Sequence, residues 1–242
     1  MHNKSFSIIL MNNNRSKAYL QNFIRLRKFP DYALILGVVD DLKEKRNPQV
    51  QKIPGISCWF DSEEDVRETL LQNNINYTAF SHLDVNAPDV IACVKKISSD
   101  YIVYSGPPGA ILRDEILDTE KKFVHAHPGL LPDFKGSTTL YYSMLLSQSI
   151  GCSVIEMNRE IDCGSIYLTR SYRIPPPVVN FDIVVDPLIR TETLIAWLQD
   201  NSNPIQQEKK GNTFYIIHPV LKHLARKVRD DKKCMEGSDQ LC

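Results

Sequence analysis

The chain has 242 residues, with 29 basic and 29 acidic side chains, 43% hydrophobic and 24% charged residues. That length supports an α/β domain whose core hides roughly 70% of the unfolded surface, and the balanced charge gives no overall pull toward nucleic acid or anionic membrane. No run approaches the about 18 apolar residues of a membrane helix, and the apolar stretch over 7–11 is too short for a signal-peptide core, so the expected location is cytoplasmic.

Short β-branched runs alternate with helical periodicity, which predicts βαβ units and a largely parallel sheet. Residues 6–10 read as the first strand. Tyr19, Leu20, Phe23, Ile24 and Arg27 fall at helical spacing over 16–28, with Ser16 as N-cap and Pro30 as stop. Residues 32–39 are almost continuously apolar, as in a parallel strand covered on both faces, and Asp40-Asp41 closes them. A loop over 47–54 precedes a short strand over 56–60. A helix then runs to 73, starting with Asp61, Glu63 and Glu64 at the positive end of its dipole. Strands over 75–80 and 100–104 flank a helix over 89–97, and Ser105-Gly106-Pro107-Pro108-Gly109 breaks the second strand abruptly. A helix over 113–117, a strand over 122–126, a helix containing 139–147 and strands over 152–157 and 165–172 complete the pattern. Pro175-Pro176-Pro177 marks the end of the core. The predicted organisation is a catalytic domain over 1–175 and a small C-terminal extension over 176–242, with a helix over 186–199, a strand over 213–217 and a fraying last dozen residues.

Two imidazoles stand at the end of a predicted parallel strand, in Val124-His125-Ala126-His127-Pro128. Ligands of open α/β sheets bind at that end of the strands. Strand alternation aims His125 and His127 at one face, and Pro128, which cannot donate a ladder hydrogen bond, ends the strand. The loop from Gly129 to Gly136 is rich in turn formers, and such loops commonly carry function.

Here a resemblance becomes specific. The run His127-Pro128-Gly129-Leu130-Leu131-Pro132-Asp133-Phe134-Lys135-Gly136 resembles the His-Pro-Ser-Leu-Leu-Pro-x-[Phe/Tyr]-[Lys/Arg]-Gly signature of the 10-formyltetrahydrofolate-dependent formyltransferases. Gly151-Cys152-Ser153-Val154-Ile155, followed by Glu160-Ile161-Asp162-Cys163-Gly164-Ser165-Ile166, resembles that family's second block, and Ile111-Leu112 through Leu117 its segment before the histidine strand. The resemblance covers 98–172. It implies a Rossmann-like, mostly parallel sheet with helices on both faces. It also implies formyl transfer from 10-formyltetrahydrofolate to an amine through a tetrahedral oxyanion.

By resemblance, His127 is the catalytic histidine and Asp162 its carboxylate partner. A carboxylate beside an imidazole fixes its tautomer and favours its charged form, and histidine moves protons near neutral pH. Ser105, Gly106, Gly109, Ile111, Leu112 and Asp162 are expected to line the folate pocket. Pro128, Gly129, Lys135, Gly136 and Tyr141 are expected on the acceptor side, with either Tyr141 or Tyr142 in the core. The methionyl-tRNA enzymes of this family carry an added barrel domain, whereas 65 residues follow Pro177 here. A sugar-nucleotide or amino-acid-derived amine is therefore the expected acceptor; a homodimer is an allowed assembly.

The departure from the signature is His125, where the family places Asn. An amide is a neutral donor at any pH, whereas an imidazole donates with a pH-dependent charge. Three outcomes stay open. His125 serves as oxyanion donor, or it marks a different one-carbon or acyl donor or hydrolysis, or it joins His127 and Asp162 in a metal site. A non-catalytic binding subunit is the reading outside enzymes. Six cysteines lack zinc-finger spacing, and most read as small buried hydrophobes. His218 reads as structural, and the basic stretch over 222–233 reads as a solvated helix face, too little to make nucleic acid the expected partner.

Overall fold

The computed structural model describes residues 4–38, 47–207 and 211–236, with side chains to 227. In chain order the elements are β1 (Phe6–Leu10), α1 (Asn14–Arg25), β2 (Ala33–Leu36), β3 (Val50–Lys52), β4 (Trp59–Asp61), α2 (Val66–Gln72) and β5 (Tyr77–Phe80). Then come α3 (Pro88–Val94), β6 (Tyr101–Tyr104), α4 (Asp114–Leu117), β7 (Lys122–His127), β8 (Phe134–Gly136), α5 (Thr139–Ser147), β9 (Ile150–Glu156) and β10 (Ile166–Tyr172). A π-helical turn (Phe181–Val185) leads into α6 (Asp186–Gln199), followed by β11 (Asn212–Phe214) and α7 (Pro219–Glu236).

Seven strands form one sheet in the order β10-β9-β7-β6-β1-β2-β5. The five from β7 to β5 are parallel, while β9 runs antiparallel to both β7 and β10. All five residues of β1 are buried, as a central strand with both faces covered requires. Its alternation divides the core. Ile8 and Leu10 face α1 and α6 with Tyr19, Phe23, Leu188 and Trp197. Ile9 faces the other way, with Val90, Val94, Ile116 and Phe123 from α3, α4 and β7. The expected α/β sheet with helices on both faces is the observed fold.

Local chemistry accounts for the differences in detail. The cap of α1 is Asn13, whose side chain accepts the Ser16 N–H at 3.0 Å, so Ser16 is the capped residue and not the cap. The helix stops at Arg25, because Arg27 adopts a left-handed φ of 55° before Pro30 is reached. Helix α2 begins after Asp65, whose carboxylate accepts the Arg67 N–H at 2.7 Å; Asp61, expected in that helix, belongs to β4. Part of the expected loop over 47–54 is a strand, β3, paired antiparallel with β4. The strand expected over 32–39 covers Ala33–Leu36; Val39 and Asp40-Asp41 lie outside the described residues. The tail expected to fray is helical to Glu236, and 237–242 lie outside the described residues.

The chain beyond Pro177 shares the main core. In α6, Leu188, Ile189, Leu194, Trp197 and Leu198 are buried, and its buried Thr191 and Thr193 hydroxyls donate to the carbonyls of Pro187 and Ile189. Those internal bonds let polar residues face the interior. Trp197 packs edge-on against Tyr101 at 5.4 Å and lies 5.7 Å from Tyr167. Strand β11 joins β8 in a parallel ladder, Asn212 opposite Phe134. The two backbones approach so closely that a Cβ on Gly136 would lie 2.1 Å from the Phe214 carbonyl oxygen, and one on Gly211 would lie 1.3 Å from that of Pro132. No described helix is long and apolar enough to cross a membrane.

Trp197→Ala removes the largest fully buried side chain of α6. It is expected to lower unfolding stability by about 3–5 kcal/mol. Denaturant melts check this, and a loss below about 1 kcal/mol would mean that α6 is not part of the cooperative core.

Candidate active site

Strand β7 ends at His127 because Pro128 follows it. In register with β9, His125 lies opposite Ile155 and His127 opposite Ser153. The chain then folds back over the strand end. Ser153 pins this loop from β9: its hydroxyl accepts the Leu131 N–H at 3.0 Å and donates to the Gly129 carbonyl at 2.7 Å. The return brings the Phe134 carbonyl to 2.6 Å from His127 Nε2.

On the other side of the ring, His127 Nδ1 is 3.2 Å from Asp162 Oδ1. Asp162 lies between β9 and β10 in a left-handed turn, φ 54°, a conformation that Asp tolerates better than most residues. Its Oδ2 accepts the Gly136 N–H at 2.8 Å, and the Gln207 amide donates to the carbonyls of Asp162 and Gly164 at 3.0 and 2.7 Å. Burial raises the Asp162 pKa, but the hydrogen bond and charge of His127 and the Gly136 N–H outweigh it and hold it at about 2. The carboxylate is therefore ionised. His127 then faces an acceptor at each nitrogen, and both contacts are satisfied together only when both nitrogens carry N–H.

His125 is half-buried, 6.3 Å edge-on from the Tyr104 ring and 6.4 Å from the His127 ring. Its Nδ1 is buried without a hydrogen-bond partner. Burial pushes its pKa well below 6.5, and the positive charges of Arg190 and Arg15 push the same way, against Asp162. At neutral pH this favours the uncharged imidazole.

A cavity of about 410 Å³ opens beside these groups. Of the residues expected from sequence, it brings together Gly109, Ile111, Leu112, His125, His127, Pro128, Gly136 and Asp162. Ser105, Gly106, Gly129, Lys135 and Tyr141 are not on its lining. Ser105 and Gly106 act from behind it: the Arg15 guanidinium donates to Ser105 Oγ at 3.1 Å and to the Gly106 carbonyl. Lys135 is buried with its Nζ 3.3 Å from Cys163 Sγ. Tyr141 is buried and donates its hydroxyl to Asp182 at 2.8 Å, while Tyr142 packs on Phe214 at 4.5 Å. His218 accepts the Val220 N–H at 3.3 Å at the start of α7, and Lys222 pairs with Asp182 at 2.8 Å. The described cysteines are free, with Cys58 and Cys152 buried and their thiols pushed up to about 12 by that burial. Cys234 and Cys242 lie outside the described side chains.

Among the lining residues that sequence reasoning missed are Arg15, Arg190 and the 213–216 segment. Arg15 had a usable signal, because it follows the first parallel strand at the end where α/β sheets bind ligands. Arg190 had a fainter one, a charge on the apolar face of α6. It is anchored by Asp186 at 2.9 Å and by the Ala126 carbonyl of β7 at 2.6 Å. Burial lowers its pKa, but Asp186 prevails and raises it.

The Formyl transferase family profile matches residues 35–179. A methionyl-tRNA formyltransferase of Borrelia turicatae (strain 91E135) is 30% identical over 161 residues, 65% of this chain and 48% of that protein. One of Sulfurihydrogenibium sp. (strain YO3AOP1) is 27% identical over 144 residues, 58% of this chain and 42% of that protein. The chain thus spans about half the length of the curated relatives it matches. Among solved structures, a sugar N-formyltransferase from Shewanella sp FDAARGOS_354 superposes with a TM-score of 0.57 at 16% identity, covering 93% of this chain and 87% of that one. A phosphoribosylglycinamide formyltransferase from Bacillus halodurans gives a TM-score of 0.55 at 16% identity, over 81% and 93%. These likenesses are in fold.

A histidine whose folded pKa is lowered binds fewer protons than in the unfolded chain, so its neutral state costs nothing above pH 6.5 and destabilises increasingly below it. Stability of the native chain is therefore expected to fall more steeply than that of His125→Asn as pH drops below 6.5. Thermal melts across that range check this; parallel curves would show that His125 is not held neutral.

Proposed function

The chain belongs to the formyl transferase family, and on that footing we propose that it transfers a formyl group from 10-formyltetrahydrofolate to an amine on a small molecule. The observation that carries the proposal is the His127–Asp162 pair, 3.2 Å apart at the end of a parallel strand and facing the cavity.

The amine nitrogen attacks the formyl carbon, forming the new C–N bond and pushing the carbonyl electron pair onto oxygen. His127 Nε2, turning from the Phe134 carbonyl to the reacting atoms, receives the proton the amine must lose and passes it to the departing folate nitrogen as the old C–N bond breaks. Asp162 stabilises the charged ring between these two transfers. Both nitrogens of His127 face acceptors, a geometry that matches the protonated, acid form of that cycle. His125 plays the part of the family's Asn. As a neutral imidazole it carries one N–H, a donor for the developing oxyanion worth about 3–4 kcal/mol in comparable sites.

Arg15, hydrogen-bonded to the neutral Ser105 and Gly106, gives the cavity a positive charge that supports an anionic acceptor, while Asp186 answers the charge of Arg190. A sugar nucleotide carries phosphate and an amino-acid-derived amine carries carboxylate, and a guanidinium matches both geometrically. Pro128 and Gly136 border the cavity on the side we assign to the acceptor, and Gly109, Ile111 and Leu112 on the side we assign to the folate.

His127→Ala is expected to lower kcat for formyl transfer by about 10²–10⁴-fold while leaving retention of a folate analogue, read as a thermal shift, close to that of the native chain. No stabilisation of the native protein by any folate, or full activity in His127→Ala, would sink the proposal.

A further inference from the structure

His125, His127 and Asp162 each present one ligating atom, and these atoms all lie within 4.8 Å of one another. The 2.6 Å contact between His127 Nε2 and the Phe134 carbonyl makes that nitrogen a proton donor. A neutral imidazole has a single N–H, so Nδ1 then offers a lone pair. Facing it at 3.2 Å is another lone-pair atom, Asp162 Oδ1. Two acceptors at that distance repel unless something positive lies between them, and only two things fit: a second proton or a metal ion. His125 adds a further ligating nitrogen to the cluster, and its Nδ1 is buried and unpartnered.

We propose that these three side chains form a Zn²⁺ site. Two imidazoles and a carboxylate are a familiar zinc set, and they leave the fourth position to water or ligand from the cavity. Zinc bonds of about 2.0–2.2 Å place tetrahedral ligand atoms roughly 3.4 Å apart, close to the 3.2 Å already separating Nδ1 and Oδ1. His125 is therefore the side chain that swings in to complete the set. The supporting contacts that such ligands need are already in place. His127 donates its other nitrogen to a backbone carbonyl, and Asp162 accepts a backbone N–H with its second oxygen. The formyltransferase signature has Asn at position 125, and an amide is not a customary zinc ligand, so the site is a property of this chain's own substitution. Zinc is also the stringent probe, since a nitrogen and oxygen site that takes Fe²⁺ takes Zn²⁺ more tightly.

The inference shares its residues with the formyl transfer reading but does not rest on it. Zn²⁺ would displace the proton between His127 and Asp162 and so block the proton transfer assigned to His127.

Tag-free protein, dialysed against a chelator and then freed of it, is titrated with Zn²⁺ in competition with a chromophoric chelator. The expected result is saturation at a single equivalent, with affinity reduced at least about 10–100-fold in His125→Asn and likewise in Asp162→Asn. Circular dichroism melts establish that the variants are folded. A second measurement needs no variant: Co²⁺ added to native protein should give the intense visible bands of a four-coordinate nitrogen and oxygen site, and Zn²⁺ should bleach them. Absence of uptake, equal affinity in folded variants, or weak six-coordinate Co²⁺ bands would each overturn the proposal. Folate-analogue binding by the metal-free protein is scored separately, so failure of the zinc site and failure of the transferase reading are told apart.

Discussion

The Asp162 carboxylate joins three stretches of chain that no local interaction would bring together. One oxygen meets the histidine that ends β7, the other takes the N–H of Gly136 at the end of β8, and the residue itself lies in the connection between β9 and β10. Charge-assisted hydrogen bonds are about twice as strong as neutral ones, and both of these are sheltered from water. The left-handed turn at Asp162 is the conformational cost of that reach, and Gln207 offsets part of it by donating to the carbonyls of Asp162 and Gly164. The shape of the cavity follows from these contacts, because the loops they fix are its walls.

The sheet was legible because its central strands are buried on both faces. The apolar runs of β1, β6 and β7 have no competing pattern, and Pro128 punctuates the last of them. What the sequence hid was pairing at a distance. Strand β8 is three residues long, and its partner β11 lies far along the chain. Nothing within the segment from Gly129 to Gly136 distinguishes a strand from a loop. Strand β3 is largely exposed, so it lacks even the apolar alternation that betrays a half-buried strand. Asn13 and Ser16 are both good caps, and only the three-dimensional arrangement chooses Asn13.

Site legibility divides along the same line. His125, His127 and Asp162 stand out because each occupies a motif with a chemical purpose and because strand alternation predicts a common face. Arg15 and Arg190 come from helices on one side of the sheet and reach the cavity by tertiary packing, which a local reading cannot see. Their importance is electrostatic. Burial does most to keep the His125 imidazole uncharged and these two cations push the same way, so a pH-dependent residue behaves near neutrality like a pH-independent one.

The close approach of β8 and β11 has a consequence for how such a chain diversifies. Because a methyl group at Gly136 would collide with the Phe214 backbone and one at Gly211 with the Pro132 carbonyl, the signature loop and the segment over 211–216 are matched surfaces. Neither can drift alone. Grafting a different signature loop onto this scaffold would mean exchanging both segments as a single cassette, glycines included, and a chimera carrying only one of them would inherit two backbones that do not seat.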